Sequence, residues 1–185
     1  MDKLIVGLGN PGKKYEKNRH NVGMILLDTL VRQWQEKFKG QYCQESTGSS
    51  KVYYLKPQTF MNLSGESVQP LAAFFKIDPS NILVVHDELD LPFGTLALKK
   101  GGGLAGHNGL KSIAAQLGTQ DFLRLRLGIG RPIHGDVSNW VLSDFSKDET
   151  ITLEKLLTEA GLALKTFLDK GFDVAASSYS RKNVL

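Results

Sequence analysis

The chain opens with a short apolar run, Leu4-Ile5-Val6-Gly7-Leu8, rich in β-branched residues and closed by a glycine-proline turn over Gly9 to Gly12. That pattern predicts a buried strand. Val22, Ile25, Leu26, Thr29, Leu30 and Gln33 follow helical spacing and predict a helix from about residue 20 to 38. Between strand and helix lies a polar loop holding Asn10, Tyr15 and His20. Lys51 to Lys56 reads as a strand closed by Pro57. Ser64 to Lys76 reads as a helix, with Ser64 or Ser67 as its N-cap, because Pro70 fits a first turn best. Asn81 to His86 is a second buried strand that delivers His86, Asp87 and Glu88 at its end. Gly94 to Lys100 alternates as a strand, Gly101-Gly102-Gly103 breaks it, and Asn108 to Leu117 reads as a helix. Leu123 to Ile129 alternates leucine with arginine, as a half-exposed strand does. From about Lys147 to Lys170, Leu153, Leu156, Leu157, Ala160, Leu164, Phe167 and Leu168 mark a long amphipathic helix. Arg181 to Leu185 is expected to fray.

Alternating strands and helices, with some strands adjacent in sequence, predict a single-domain three-layer α/β/α sandwich over residues 1–185, built on a mixed, mostly parallel central sheet. A length of 185 residues supports one hydrophobic core and is short for two. Hydrophobic residues are 41% and charged residues 23% of the chain, ordinary for a folded soluble protein, and no run approaches the roughly 18 apolar residues of a membrane span. The first predicted strand begins at Lys3, which leaves no room for a secretion signal, so a cytoplasmic location is expected. The lone Cys43 rules out an internal disulfide and a thiolate-rich metal site, and is expected to be a partly buried, unreactive thiol.

Net charge is +4, which permits an anionic partner without requiring one. Distribution says more than the total. Lys99 and Lys100 precede the glycine run, Lys111 follows it, and Arg124, Arg126 and Arg131 lie just downstream, so these charges flank flexible backbone. A second cluster, Lys13, Lys14, Lys17 and Arg19, reads as a solvated face.

Gly7-Leu8-Gly9-Asn10-Pro11-Gly12 satisfies G-x-G-x-x-G after a strand, the pattern of a dinucleotide site. That fingerprint needs a helix opening on the last glycine and an acidic residue ending a second strand about 20 residues on. Here Lys13 to Lys17 intervenes, and the next strand ends in Lys56, so no cofactor is expected. No G-x-S-x-G elbow and no H-E-x-x-H zinc spacing occurs. His86, Asp87, Glu88 and Asp90 with His107 form the one divalent-metal alternative.

The polar residues at predicted element ends offer a different chemistry. Asn10, Asn62 and Asn108 sit at turns, where asparagine is ordinarily structural, yet loops at strand ends of an α/β sheet converge on a ligand crevice. An amide side chain both donates and accepts, which suits reading a peptide backbone or holding a water. His20 lies near a predicted helix start, where the dipole favours neutral imidazole; taken alone it reads as a capping or solvent-facing histidine and Asp87 as a turn cap, but Asp87 could instead bond the other ring nitrogen. Such a pair activates water.

Taken together, six ordered motifs resemble the bacterial-type peptidyl-tRNA hydrolase family across almost the whole chain. They are Gly7 to Gly12, Tyr15 with Arg19-His20-Asn21, Lys56 to Gly65, His86 to Pro92, Gly106 to Leu110, and Arg124 to Pro132. The resemblance implies hydrolysis of the ester joining a peptide to the tRNA 3′ end, without metal, cofactor or covalent intermediate. It further implies His20 as general base, Asp87 as its orienting partner, and Asn10 at the terminal ribose or ester. Asn62 and Asn108 would bind peptide backbone and position water, and Tyr15 and Met61 would line the cleft. Lys99 and Arg126 would clamp the tRNA 5′ phosphate, and residues 101–108 would form a mobile gate. A monomer is expected on the same ground. Three positions depart from the family pattern: Phe60 where tyrosine is common, Asn18 where threonine is common, and Leu104-Ala105 where glycine or histidine is frequent, a change expected to stiffen the gate.

Overall fold

The computed structural model describes residues 1–185. Its strands are β1 (Lys3–Gly7), β2 (Gln35–Lys37), β3 (Gly40–Thr47), β4 (Ser50–Pro57), β5 (Ile82–Glu88), β6 (Thr95–Lys100), β7 (Leu123–Gly128) and β8 (Lys182–Asn183). Its helices are α1 (Val22–Leu30), α2 (Gly65–Phe74), α3 (Asn108–Leu117), α4 (Val137–Val141), α5 (Thr150–Lys170) and α6 (Phe172–Ser178). The strands form one sheet in the order β2-β3-β4-β1-β5-β7-β6-β8.

The four central strands β4, β1, β5 and β7 run parallel, and the remaining four pairings are antiparallel. The expected sheet is therefore mixed, with its parallel character confined to the centre. Period-two alternation sorts the strand side chains into two cores. Leu4, Val6, Ile82, Val84 and Phe122 pack beneath α2 and α3. Ile5, Leu83, Val85, Leu123 and Leu125 pack with α1 and with Leu156, Ala160, Leu164 and Phe167 of α5. Coverage on both faces completes the three layers.

Several boundaries differ from the pattern reading. The first helix ends at Leu30 rather than near residue 38, and the chain turns into the hairpin β2–β3. Phe38 and Lys39 at the tip of that hairpin take positive φ values of 59° and 52°, a turn geometry that hydrophobic periodicity does not report. Ser64 does not cap α2: its hydroxyl donates to the Met61 carbonyl at 2.8 Å, and Ser67 lies inside the helix together with Pro70. The C-terminal residues pair as β8 on the edge strand β6 instead of fraying. The Leu-Arg alternation of β7 is not half-exposed, because Arg124 is 1% exposed. Its guanidinium donates to the carbonyls of Gly103 (2.5 Å), Gly102 (3.0 Å) and Gln120 (2.9 Å).

Candidate active site

His20 and Asp87 meet because two glycines let α1 approach the sheet. A Cβ at Gly7 would collide with the Gly23 carbonyl, and one at Gly23 with the Val85 carbonyl, so the start of α1 lies directly on β1 and β5. Gly7 of the first motif thus serves helix-strand packing, and α1 opens at Val22, well beyond Gly12. A 3₁₀ turn, Arg19–Asn21, carries His20 to the carboxyl end of β5. There His20 Nδ1 lies 2.8 Å from Asp87 Oδ2.

Asp87 is 4% exposed, and its second oxygen is also taken: Oδ1 lies 2.8 Å from His107 Nε2. His107 is the N-cap of α3, where its Nδ1 accepts from the backbone N–H of Gly109 at 3.1 Å and Leu110 at 3.3 Å. An acceptor on Nδ1 carries no proton, so His107 donates Nε2–H to the carboxylate. Burial pushes the Asp87 carboxyl up, but the two imidazoles outweigh it and hold it well below the usual carboxylate range. Asp87 is therefore ionised and accepts Nδ1–H from His20. Burial pulls His20 down, while the charge and hydrogen bond of Asp87 raise it, and the net effect is a pKa above the ordinary histidine value. The remaining nitrogen, Nε2, is the free acceptor of a residue that borders a cavity.

His86, next in the strand, lies with its ring edge-on to His107 at 5.1 Å and borders the same cavity. Its Nδ1 donates to the Asp87 carbonyl at 2.8 Å, and Nε2 is buried without a partner. Burial, then the neighbouring His107, push its pKa down to about 3, so it is a neutral ring.

The cavity, about 400 Å³, is bordered by His20, His107, Asn108, Lys99 and Arg126. Five of the residues singled out in the sequence, His20, Asp87, Asn108, Lys99 and Arg126, thus share one wall system. Arg126 has a partner there, with Nη1 3.7 Å from the Glu88 carboxylate. Leu104 packs partly against the core beneath α3, and Ala105 holds a positive φ of 50°. The expected gate is therefore anchored at Leu104, strained at Ala105 and tied by Arg124.

Asn10 borders a second, smaller cavity of about 150 Å³. Its Oδ1 accepts from the Met61 backbone N–H at 2.7 Å, joining the first loop to the turn Met61–Leu63. Asn21 grips the Asn10 backbone twice, accepting from its N–H and donating to its carbonyl, both at 2.9 Å. Met61, expected to line the cleft, is 5% exposed and packs in the core, its sulfur against Gly109. Asn62 is exposed, and Tyr15 is partly exposed with its ring edge-on to Phe60 at 6.3 Å.

Sequence reasoning missed two roles. His107 entered as a metal candidate and within the Gly106 to Leu110 motif, and its position immediately before the predicted helix was the one sign of a capping role. Asn21 had no comparable signal, since its partner lies eleven residues away across a loop. The metal set is also rearranged: Glu88 faces Arg126, Asp90 pairs with Arg131, and the ligand-type atoms within 4.8 Å of one another belong to His20, Asp87 and His107.

Comparison with known proteins gives one consistent answer. The sequence model of the peptidyl-tRNA hydrolase family matches residues 4–184. Peptidyl-tRNA hydrolases of Desulfitobacterium hafniense and Citrifermentans bemidjiense are 48% and 46% identical over 97% of this chain, covering 100% and 98% of their own lengths. The crystal structure of peptidyl-tRNA hydrolase from Acinetobacter baumannii superposes with a TM-score of 0.92 at 35% identity, covering 99% of this chain and 96% of that one. With residues 4–184 matched and the fold shared over nearly its full length, the chain belongs to the peptidyl-tRNA hydrolase family.

Proposed function

We propose that the protein cleaves the ester between a peptide and the 3′ end of tRNA by direct attack of water, with His20 as general base. The observation that carries this reading is the Asp87 bridge, which holds His20 by Nδ1 and leaves Nε2 free on a residue bordering the cavity. Nε2 takes a proton from water as the water oxygen bonds to the ester carbonyl carbon. The tetrahedral intermediate then expels the ribose oxygen, which recovers that proton from the imidazolium, and the peptide leaves as a carboxylic acid that loses its remaining proton to solvent. Asn10 keeps its amide donor for the ribose or ester, because its oxygen is committed to Met61. Asn62 and Asn108 bind peptide backbone and position water, with Tyr15 beside them, and Met61 supports this wall from beneath. A free α-ammonium placed there loses hydrogen bonds and carries charge into a poorly solvated cleft, which selects N-blocked peptides.

The same hydrogen bonds favour a metal-free reaction. Both Asp87 oxygens accept from imidazoles, and His107 Nδ1 accepts from α3, so a cation would have to displace them. Lys99 and Arg126 supply a phosphate site on the tRNA acceptor end. No helix is long and apolar enough to cross a membrane, and we propose a cytoplasmic monomer.

The test is hydrolysis of N-acetyl-aminoacyl-tRNA beside its unacetylated counterpart, with EDTA present. Selective cleavage that resists EDTA and falls at least about 10²-fold in folded His20→Ala is expected. Cleavage abolished by EDTA would replace this reading with a metal-assisted one. For the clamp, Lys99→Ala and Arg126→Ala should each weaken tRNA binding and lower the salt slope by about one unit. Unchanged affinity and slope would remove both residues from the assignment.

A further inference from the structure

We propose that Arg19 is a positioning residue for His20, transmitting the placement of the segment Val137–Glu149 to the turn that carries the base. This rests on His20 being the base. The sequence pattern placed Arg19 on a solvated basic face, but it is 5% exposed and committed to that distant segment. Nη1 donates to Ser143 Oγ and the Asp144 carbonyl, both at 2.6 Å, and Nη2 to Glu149 Oε1 at 2.5 Å. The guanidinium lies 3.8 Å from the centre of the Trp140 ring, and the Arg19 backbone N–H donates to the Ser143 carbonyl at 2.9 Å. Immediately before it, Asn18 Nδ2 donates to Asp144 Oδ1 at 2.6 Å.

These contacts matter for the base because the turn Arg19–Asn21 has no side-chain cap of its own. Its position comes from Arg19 and Asn18 on one side and from the Asn21 grip on Asn10 on the other. The partners of Arg19 are themselves fixed. Glu149 Oε1 also accepts from Ser146 N–H at the entry to α5, Ser143 Oγ donates to the Trp140 carbonyl, and Trp140 Nε1 donates to the Gly130 carbonyl beyond β7. Val137, Ser138 and Val141, from the same segment, border the cavity with His20. One planar fork thus joins a cavity wall, the start of α5 and the base. A lysine carries all its donors on one nitrogen and cannot span acceptors that two separate guanidinium nitrogens serve.

The experiment compares wild type, Arg19→Gln, Arg19→Lys, Glu149→Gln, Glu149→Ala and His20→Ala on N-acetyl-aminoacyl-tRNA, at a temperature where circular dichroism reports each as folded. Arg19→Gln, Arg19→Lys and Glu149→Ala should lose on the order of tenfold to a hundredfold in kcat with little change in KM, as a displaced base does. Glu149→Gln keeps an oxygen acceptor and should recover most of the loss. The downfield proton resonance of His20 Nδ1–H against Asp87 should shift or broaden in step with kcat. If Arg19→Gln does not fold, Glu149→Ala and Ser143→Ala carry the same readouts. Unchanged kcat and resonance in these variants, with His20→Ala inactive, would overturn the proposal and leave the base assignment standing. A rise in KM alone would also overturn it, placing Arg19 in tRNA binding. Activity retained in His20→Ala would overturn both.

Discussion

A carboxylate with two imidazole partners settles proton positions that a single pair leaves open. His107 can only donate to Asp87, because its other nitrogen is occupied by α3. The second carboxylate oxygen is then available to hold the His20 proton on Nδ1. Asp87→Asn disrupts this order in a specific way. The new amide has one acceptor, which His107 claims, and its NH₂ turns toward His20. That forces the His20 proton onto Nε2, the wrong tautomer for a base. A fall in kcat of roughly 10³–10⁴ is expected with the fold intact, by the logic that makes the corresponding change costly in serine-protease triads. Hydrolysis of N-acetyl-aminoacyl-tRNA measures it, and a loss of less than tenfold would show that the tautomer does not limit the reaction. The sequence placed both His20 and Asp87 at element ends. What it lacked was the third member, since no spacing rule connects residues 20, 87 and 107.

At the scale of elements, short segments place the chemistry and side chains far away hold them. α3 is capped by His107, so one residue serves both helix stability and Asp87. His107→Asn separates the two tasks, because asparagine is a good N-cap but is too short to keep the ring contact. Urea unfolding should lose no more than roughly 1.5–3 kcal/mol, the value of one hydrogen bond to the buried Asp87 carboxylate, while kcat falls by roughly tenfold. A large stability loss with unchanged kcat would reverse that division of labour. The strand β7 illustrates why pattern reading stops short. Leucine-arginine alternation signals an amphipathic strand, and period alone cannot tell water from a ring of backbone carbonyls as the surroundings of Arg124. Here the carbonyls of Gly102, Gly103 and Gln120 replace water. The hairpin β2–β3 escaped the reading for a related reason, since its strands are largely exposed and carry little hydrophobic signal.

Over the whole molecule, a sheet buried on both faces makes stability depend on ionisable groups inside it. His86 is the clearest case. Burial, with His107 and Arg124 nearby, pushes its pKa to about 3 from an ordinary 6.5, while the Asp87 carbonyl and charge oppose this. The folded state therefore resists a proton that the unfolded chain accepts. Its contribution to stability is present above the ordinary value and is lost as pH falls from 6.5 toward about 3. One such group gives a slope of at most about 1.4 kcal/mol per pH unit. His20 works with the opposite sign, being raised, and loses its contribution as pH rises through its folded pKa. Urea unfolding between pH 7 and 4 should show a shallower decline in His86→Phe than in wild type, and parallel curves would remove His86 from the acid sensitivity. The sequence by itself determined the strands of the central sheet, the layers around them and the family, because local periodicity and contiguous motifs are properties of neighbours in the chain. Only the tertiary structure decided that Arg19 and Arg124 are buried, that His107 completes the Asp87 bridge and that Met61 belongs to the core. Those outcomes depend on which distant carbonyls, carboxylates and rings arrive beside a side chain, and that is fixed by how the layers close.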